Sequence, residues 1–292
     1  MSHPLIHAEG HVLAAIDPSP YGGSVAGLAA WAALRLSAPL ELLHTIERGA
    51  KPPAADLSGN LSLGGQEALL AQLADLDEQR ARLAQEHGRV LLEQTRVQLA
   101  SATGVQAQVR QRHGDLADTL LDIESGVRLF VLGKRGEHAD FERGHLGGQL
   151  EHVLRAVHRP VLVASRAFKA PQRFLIAFDG GATTRRCVDM VCASPLLEGL
   201  ACDLMMVGDP DNAALREHLA WAQARLASAG FAPQADIVPG HPEAVIAREV
   251  GARGIELLVM GAYGHSRIRT MILGSTTTQV LRSCPIPVLL LR

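Results

Sequence analysis

The chain repeats itself, and the repeat restricts the fold more than any other feature. Leu129-Phe-Val-Leu-Gly133-Lys-Arg-Gly136, Leu146-Gly147-Gly148, Val153-Leu154-Arg155 and Pro160-Val161-Leu-Val163 form one series. It returns as Leu257-Leu-Val-Met-Gly261-Ala-Tyr-Gly264, Leu273-Gly274-Ser275, Val280-Leu281-Arg282 and Pro287-Val288-Leu-Leu290. The beginnings match as well: His11-Val-Leu-Ala-Ala-Ile-Asp17 parallels Arg173-Phe-Leu-Ile-Ala-Phe-Asp179. Each half alternates short apolar runs with helical patterns. The second strands read as Leu40 to Thr45 and Cys202 to Val207, the third as Val105 to Val109 and Ala235 to Val238. This alternation predicts two tandem α/β domains, each a doubly wound, five-stranded parallel sheet flanked by helices. The boundary falls near Arg166-Ala-Phe-Lys-Ala-Pro171, which gives domains 1–166 and 171–292. The last strands, Pro160 to Ala164 and Pro287 to Leu291, are short and apolar, and would be association hazards unless paired.

The halves differ by an insertion. After Thr45 the first half carries Lys51-Pro-Pro, a Gly/Ser-rich stretch through Gly65, and a helical segment from about Gln66 to Ala102. Leu69, Leu76, Leu83, Val90 and Val97 recur every seven residues along it, while Arg80, His87 and Gln94 break the companion row. The preferred reading is an amphipathic helix lying on its own domain. A partner-binding seam is the alternative. Gly88 is a candidate kink.

Composition narrows the function classes. Of 292 residues 47% are hydrophobic but only 3% aromatic, so the core rests on Leu, Val, Ala and Ile. A net charge of −2 leaves no electrostatic footprint for nucleic acid. The N-terminus lacks a basic and apolar leader pattern, and no run reaches the length of a membrane span. The expectation is a soluble cytoplasmic protein without membrane contact. Cys187, Cys192, Cys202 and Cys284 have no paired spacing and read as reduced core thiols. The thirteen histidines show no ligand spacing, so no structural metal is expected.

The chemistry concentrates after the apolar run Leu257 to Met260. Gly261 and Gly264 are followed by Gly274-Ser275-Thr276-Thr277, the start of another helical stretch. Glycines admit close approach of a ligand to the backbone. A helix N-terminus offers unpaired N–H groups and partial positive charge, and hydroxyls add donors. The spacing G-x2-G-x9-G-S is neither the G-x-G-x-x-G dinucleotide fingerprint nor the G-x4-G-K-[ST] phosphate loop. It resembles the ATP-binding motif of the universal stress protein family, and because the pattern occurs twice the resemblance covers nearly the whole chain. A tandem member is implied.

That resemblance implies an adenine nucleotide site in the second half. Asp179, with Ala177 and Phe178 beside it, and Val207 would lie on the base side. Met260, Gly261, Tyr263, Gly264, Gly274, Ser275, Thr276 and Thr277 would hold ribose and phosphates, with Mg2+ as a possible companion of ATP through its phosphate oxygens. The bland reading of Asp179-Gly-Gly and of the glycines is turn chemistry alone. Their conjunction at strand ends favours a ligand site. Arg267, Arg269 and His265 in the motif loop read as solvated.

The first half keeps Asp17, Gly133 and Gly136, but Gly148, Gln149, Leu150 and Glu151 replace the hydroxyl residues. Lys134, Arg135 and Arg143 are candidate compensating charges. Nucleotide binding there is expected to be weak or absent. No residue near the second motif stands out as a base for hydrolysis, so no catalytic residue is assigned. The reading is a nucleotide-dependent stress regulator with little or no turnover, acting on a protein partner the sequence does not identify. A slow ATPase and an interaction module without nucleotide are the alternatives. A dehydrogenase is disfavoured, since neither first turn carries its glycine fingerprint. In the family the last strands pair across a dimer. Here the two halves can pair with each other, and a homodimer is a further option.

Overall fold

The computed structural model describes residues 9–46, 63–136, 148–262 and 274–291. Each half is an α/β domain. The first contains β1 (His11–Ala15), α1 (Gly22–Leu36), β2 (Leu40–Ile46), α2 (Leu63–Thr103), β3 (Ala107–His113), α3 (Leu116–Ile123), β4 (Val127–Gly133), α4 (Gly148–Ala156) and β5 (Val161–Ala164). The second contains β6 (Arg173–Ala177), α5 (Ala182–Cys192), β7 (Ala201–Val207), α6 (Ala213–Ser228), β8 (Gln234–Val238), α7 (Pro242–Ala252), β9 (Leu257–Gly261), α8 (Ser275–Ser283) and β10 (Val288–Leu291).

The two sheets are one. Ten strands run in the order β3-β2-β1-β4-β5-β10-β9-β6-β7-β8. All neighbours are parallel except β5 and β10, which pair antiparallel with Val163 opposite Val288 and Val161 opposite Leu290. Each last strand therefore has neighbours on both sides, and the apolar edge foreseen in the sequence is consumed within the chain. The outer edges are β3 and β8, where Gln108, Arg110, Gln111 and Gln234 supply polar residues.

Strand alternation feeds two apolar layers. Val12, Ala14, Leu40 and Leu42 point into the layer under α1, α2, α5 and α6, and Leu13, Leu43, Phe130 and Leu175 into the layer under α3, α4, α7 and α8. Helix α1 buries Ala26, Ala29, Ala30 and Ala33, small residues that let it lie close to the sheet. Gly27 is needed because the Phe168 ring of the interdomain linker lies where a Cβ would be, 2.7 Å away.

Two expectations need correction. Strand β3 starts two residues later than foreseen and runs on to His113, pairing with β2 as far as Ile46. Its Arg-Gln-Arg-His ending hides it in the sequence because an edge strand tolerates polar side chains. Helix α2 does not lie wholly on its domain. Leu92 and Leu99 are buried, but every residue from 71 to 87 is exposed, Leu83 at 71%. Exposed Arg82–Glu78 and Arg89–Glu86 pairs one turn apart support that outer part. Gly88 does not interrupt the helix. It lets α2 approach β2 and β3, since a Cβ would stand 2.4 Å from His44 and 2.2 Å from Gln111.

Candidate functional site

Strands β6 and β9 are parallel neighbours, with Ile176 opposite Val259. Helix α5, after β6, covers one face of the sheet, and α8, which follows β9 in the chain, covers the other. The crevice beyond the carboxyl ends of β6 and β9 is thus a topological switch point, the place where open α/β sheets bind ligands.

Most of the residues singled out in the sequence meet there. Ala177 and Gly261 end the two strands, and Val207 ends β7 beside them. Asp179 opens the turn after β6. Its carboxylate accepts the Gly181 N–H at 2.8 Å and the Thr184 hydroxyl at 2.5 Å, shaping the entry to α5. Gly274 is the N-cap of α8 at φ −56°, ψ 141°, and among the described residues no side chain caps that end. Its N-cap residue thus supplies none of the capping acceptor that many helices carry. Ser275 is exposed, Gly274 and Thr276 are half-buried.

Three of the residues face inward. Thr277 is 3% exposed, and its hydroxyl donates to the Gly261 carbonyl at 3.3 Å, so it fastens the start of α8 to the end of β9. Phe178 is buried and stacked on Trp221, ring centres 6.2 Å apart. The Met260 side chain is buried in the layer under α7 and α8. Tyr263, Gly264, His265, Arg267 and Arg269 lie outside the described residues.

A group that the sequence did not reveal borders the same turn. Arg185 on α5 donates to the carbonyl of Gly180, whose φ is +79°, the His218 ring on α6 lies against that glycine, and Trp221 on α6 stacks on Arg185. Nothing local in the sequence signals them. They meet only because α5 packs beside α6.

The matching crevice in the first half is built differently. Asp17 accepts the Ser19 N–H at 3.2 Å and its hydroxyl at 2.5 Å. A Cβ on Gly136 would stand 3.3 Å from the Asp17 carboxylate, a tight approach, and 3.6 Å from the Gln149 amide oxygen, an ordinary contact. Glu151, in the first turn of α4, pairs with Arg155. Lys134 is not a spare charge for phosphates. Its Nζ donates to the Cys284 carbonyl at the C-cap of α8, in the other half, where a helix end favours a cation. Burial pushes its ammonium below the ordinary lysine value. Gly147 and Arg143 lie outside the described residues.

Cys187, Cys202 and Cys284 are buried, and Cys192 is partly exposed. Burial pushes the Cys187 and Cys202 thiols up to about 12. Among the described residues no cluster of three or more His, Cys, Asp or Glu side chains is placed to hold a metal, and no helix is long and apolar enough to cross a membrane.

Comparison with known proteins agrees with this architecture. The model of the universal stress protein family matches residues 10–165 and again 172–292. A universal stress protein of Synechocystis is 35% identical over 288 residues, covering 97% of this chain and 99% of the relative. A universal stress protein of Mycolicibacterium smegmatis is 24% identical over 304 residues, with 96% of each chain covered. Among solved structures, a universal stress protein from Archaeoglobus fulgidus superposes with a TM-score of 0.70 at 18% identity, over 97% of this chain and 98% of that one, which supports the fold.

Proposed function

Because this chain belongs to the universal stress protein family, we propose that its second half binds one adenine nucleotide and acts as a nucleotide-dependent stress regulator with little or no turnover. The base lies against Ala177, Asp179 and Val207. Gly261, Gly274, Ser275, Thr276 and the first turn of α8 take ribose and phosphates, with Tyr263 and Gly264 in the motif loop. Mg2+ accompanies ATP through its phosphate oxygens.

The observation that carries this reading is the N-terminus of α8. It is capped by a glycine without a side-chain acceptor and starts at the switch-point crevice. Unpaired N–H groups and the helix dipole suit an anion there. The first half lacks the hydroxyls, and its Asp17 carboxylate lies close to Gly136, which supports weak or absent binding. The placement of Asp179, whose carboxylate shapes the β6–α5 turn, supports low turnover. An efficient hydrolase needs a group orienting water at the far phosphate.

Mass spectrometry of small molecules released from freshly purified, denatured protein tests the reading. An adenine nucleotide near one equivalent per chain is expected. Empty protein whose melting temperature does not move with millimolar ATP contradicts it and leaves the interaction module. Phosphate release lost on Gly274→Glu substitution identifies a slow ATPase instead.

A further inference from the structure

Arg185 makes three contacts at the β6–α5 turn. Its Nε donates to the Gly180 carbonyl at 3.1 Å. A terminal nitrogen lies 2.8 Å from Nδ1 of His218. Its guanidinium carbon stands 4.5 Å from the centre of the Trp221 ring. Trp221 in turn stacks on Phe178 at an interplanar angle of 19°. The His218 ring closes on Gly180 from the other side, so near that a Cβ there would be 2.4 Å from its Cδ2. The turn that presents Asp179 is therefore gripped by an arginine and a histidine from two helices.

The bond between them has one possible direction. Guanidinium has donors only and keeps its charge, so the Nδ1 lone pair accepts and the proton of a neutral His218 sits on Nε2. Protonating Nδ1 sets N–H against N–H and brings two cations together. Among the described residues no carboxylate pairs with His218. Asp179 accepts from Gly181 and Thr184. Asp189, further along α5, pairs with Arg225 at 2.7 Å. On that face of the sheet strands β7 and β8 present Met206 and Ile237. On α6, Glu217 is exposed and projects about a quarter-turn away from its neighbour, and Arg216 donates to the Asp211 carbonyl.

We propose that Arg185 and His218 form a proton-sensitive latch that positions the Asp179–Gly181 turn, so that protonation of His218 loosens the turn and weakens nucleotide retention. The coupling to nucleotide rests on the function proposed above. The latch rests on the geometry alone. Both are positioning residues.

The test uses the full chain with Trp31→Phe, leaving Trp221 as the reporter. Its emission is followed without ligand from about pH 8.5 to about pH 5, the range in which histidine titrates. ATP affinity is then measured at both ends of the range. The latch predicts one emission transition with His218 present and none with His218→Gln, which keeps an acceptor but does not titrate. Affinity falls by about tenfold on acidification with His218 and by less than about twofold with Gln, a control that also removes the titration of ATP itself. His218→Leu, which cannot accept the bond, binds weakly at both ends. A transition that is missing, or that persists in His218→Gln, overturns the latch. A His218-dependent transition with pH-independent affinity overturns the coupling. A transition in a protein that binds no ATP at any pH overturns the nucleotide reading together with the coupling, while the latch stands.

Discussion

Two glycines at the carboxyl edge of the second half do different work. Gly180 sits at φ +79° against the His218 ring, where neither the backbone nor the space admits a side chain. Gly274 has an ordinary φ of −56° and serves as an N-cap without a capping side chain. An aspartate there would cap α8 better and occupy the ground proposed for phosphate. Gly274→Asp is therefore expected to leave the melting temperature unchanged or raise stability by a few tenths, ~0.3 kcal/mol, while ATP affinity drops at least about tenfold. Parallel thermal melts and calorimetric titrations check this, and unchanged affinity would count against the site. Individual residues were legible to different degrees. Gly261, Gly274 and Asp179 stood out because glycine and strand-end spacing are local signals that recur in the other half. Arg185, His218 and Trp221 were invisible, being 33 residues apart across the Arg185–His218 bond. Lys134 misled, since a lysine inside a glycine motif suggests a phosphate ligand, and only the packing of the halves turns it to Cys284.

Among the elements, β2 and β7 carry matching buried carboxylates near the amino edge of the sheet, at the opposite end from the crevice. Asp203, fully buried, accepts two bonds from Arg173 at 2.6 and 3.1 Å and lies 3.6 Å from Arg253. Its counterpart Glu41 meets Arg110 at 2.6 Å and His11 at 3.3 Å, but its Oε1 and the His11 Nε2 make no aligned hydrogen bond. Removing one member of a well-bonded buried pair costs about 3–5 kcal/mol, so Asp203→Ala should destabilise strongly. Glu41→Gln should cost less, about 1–2 kcal/mol. Urea unfolding of both variants checks the order, and equal losses would contradict it. A second expectation concerns acid. The Lys169 ammonium, with the Gln172 N–H at 2.7 Å, holds Glu256 below the ordinary carboxylate range. A carboxylate depressed in the folded state stabilises above its unfolded pKa of about 4.3, and that contribution disappears as pH falls through the folded value. Thermal melts between about pH 6 and about pH 3 should therefore fall less steeply for Glu256→Gln than for the parent chain. Identical slopes would contradict the assignment. The alternation of elements was readable because parallel strands buried on both faces are apolar runs. The polar end of β3 from Arg110 to His113 and the outward reach of α2 were not, because neither obeys the burial pattern that sequence reading depends on.

At the scale of the molecule, the chain is a two-domain unit joined by continuous hydrogen bonding from β3 to β8. The β5–β10 pair is reinforced by Lys134 at the end of α8 and by Arg35, which donates to the Leu196 and Glu198 carbonyls of the second half. The first half thus retains the α/β architecture of the second while its motif lysine supports its neighbour. A second copy of the chain cannot use the last strands, since both are already paired on each side. The decisive property of this arrangement is asymmetry between two similar crevices. Isothermal titration of the intact chain with ATP measures it most directly. The account predicts a single class of site with one nucleotide per chain, abolished by Gly274→Asp and unaffected by Gly136→Ala in the first half. Two nucleotides per chain, or one that survives Gly274→Asp and is lost with Gly136→Ala, would contradict it.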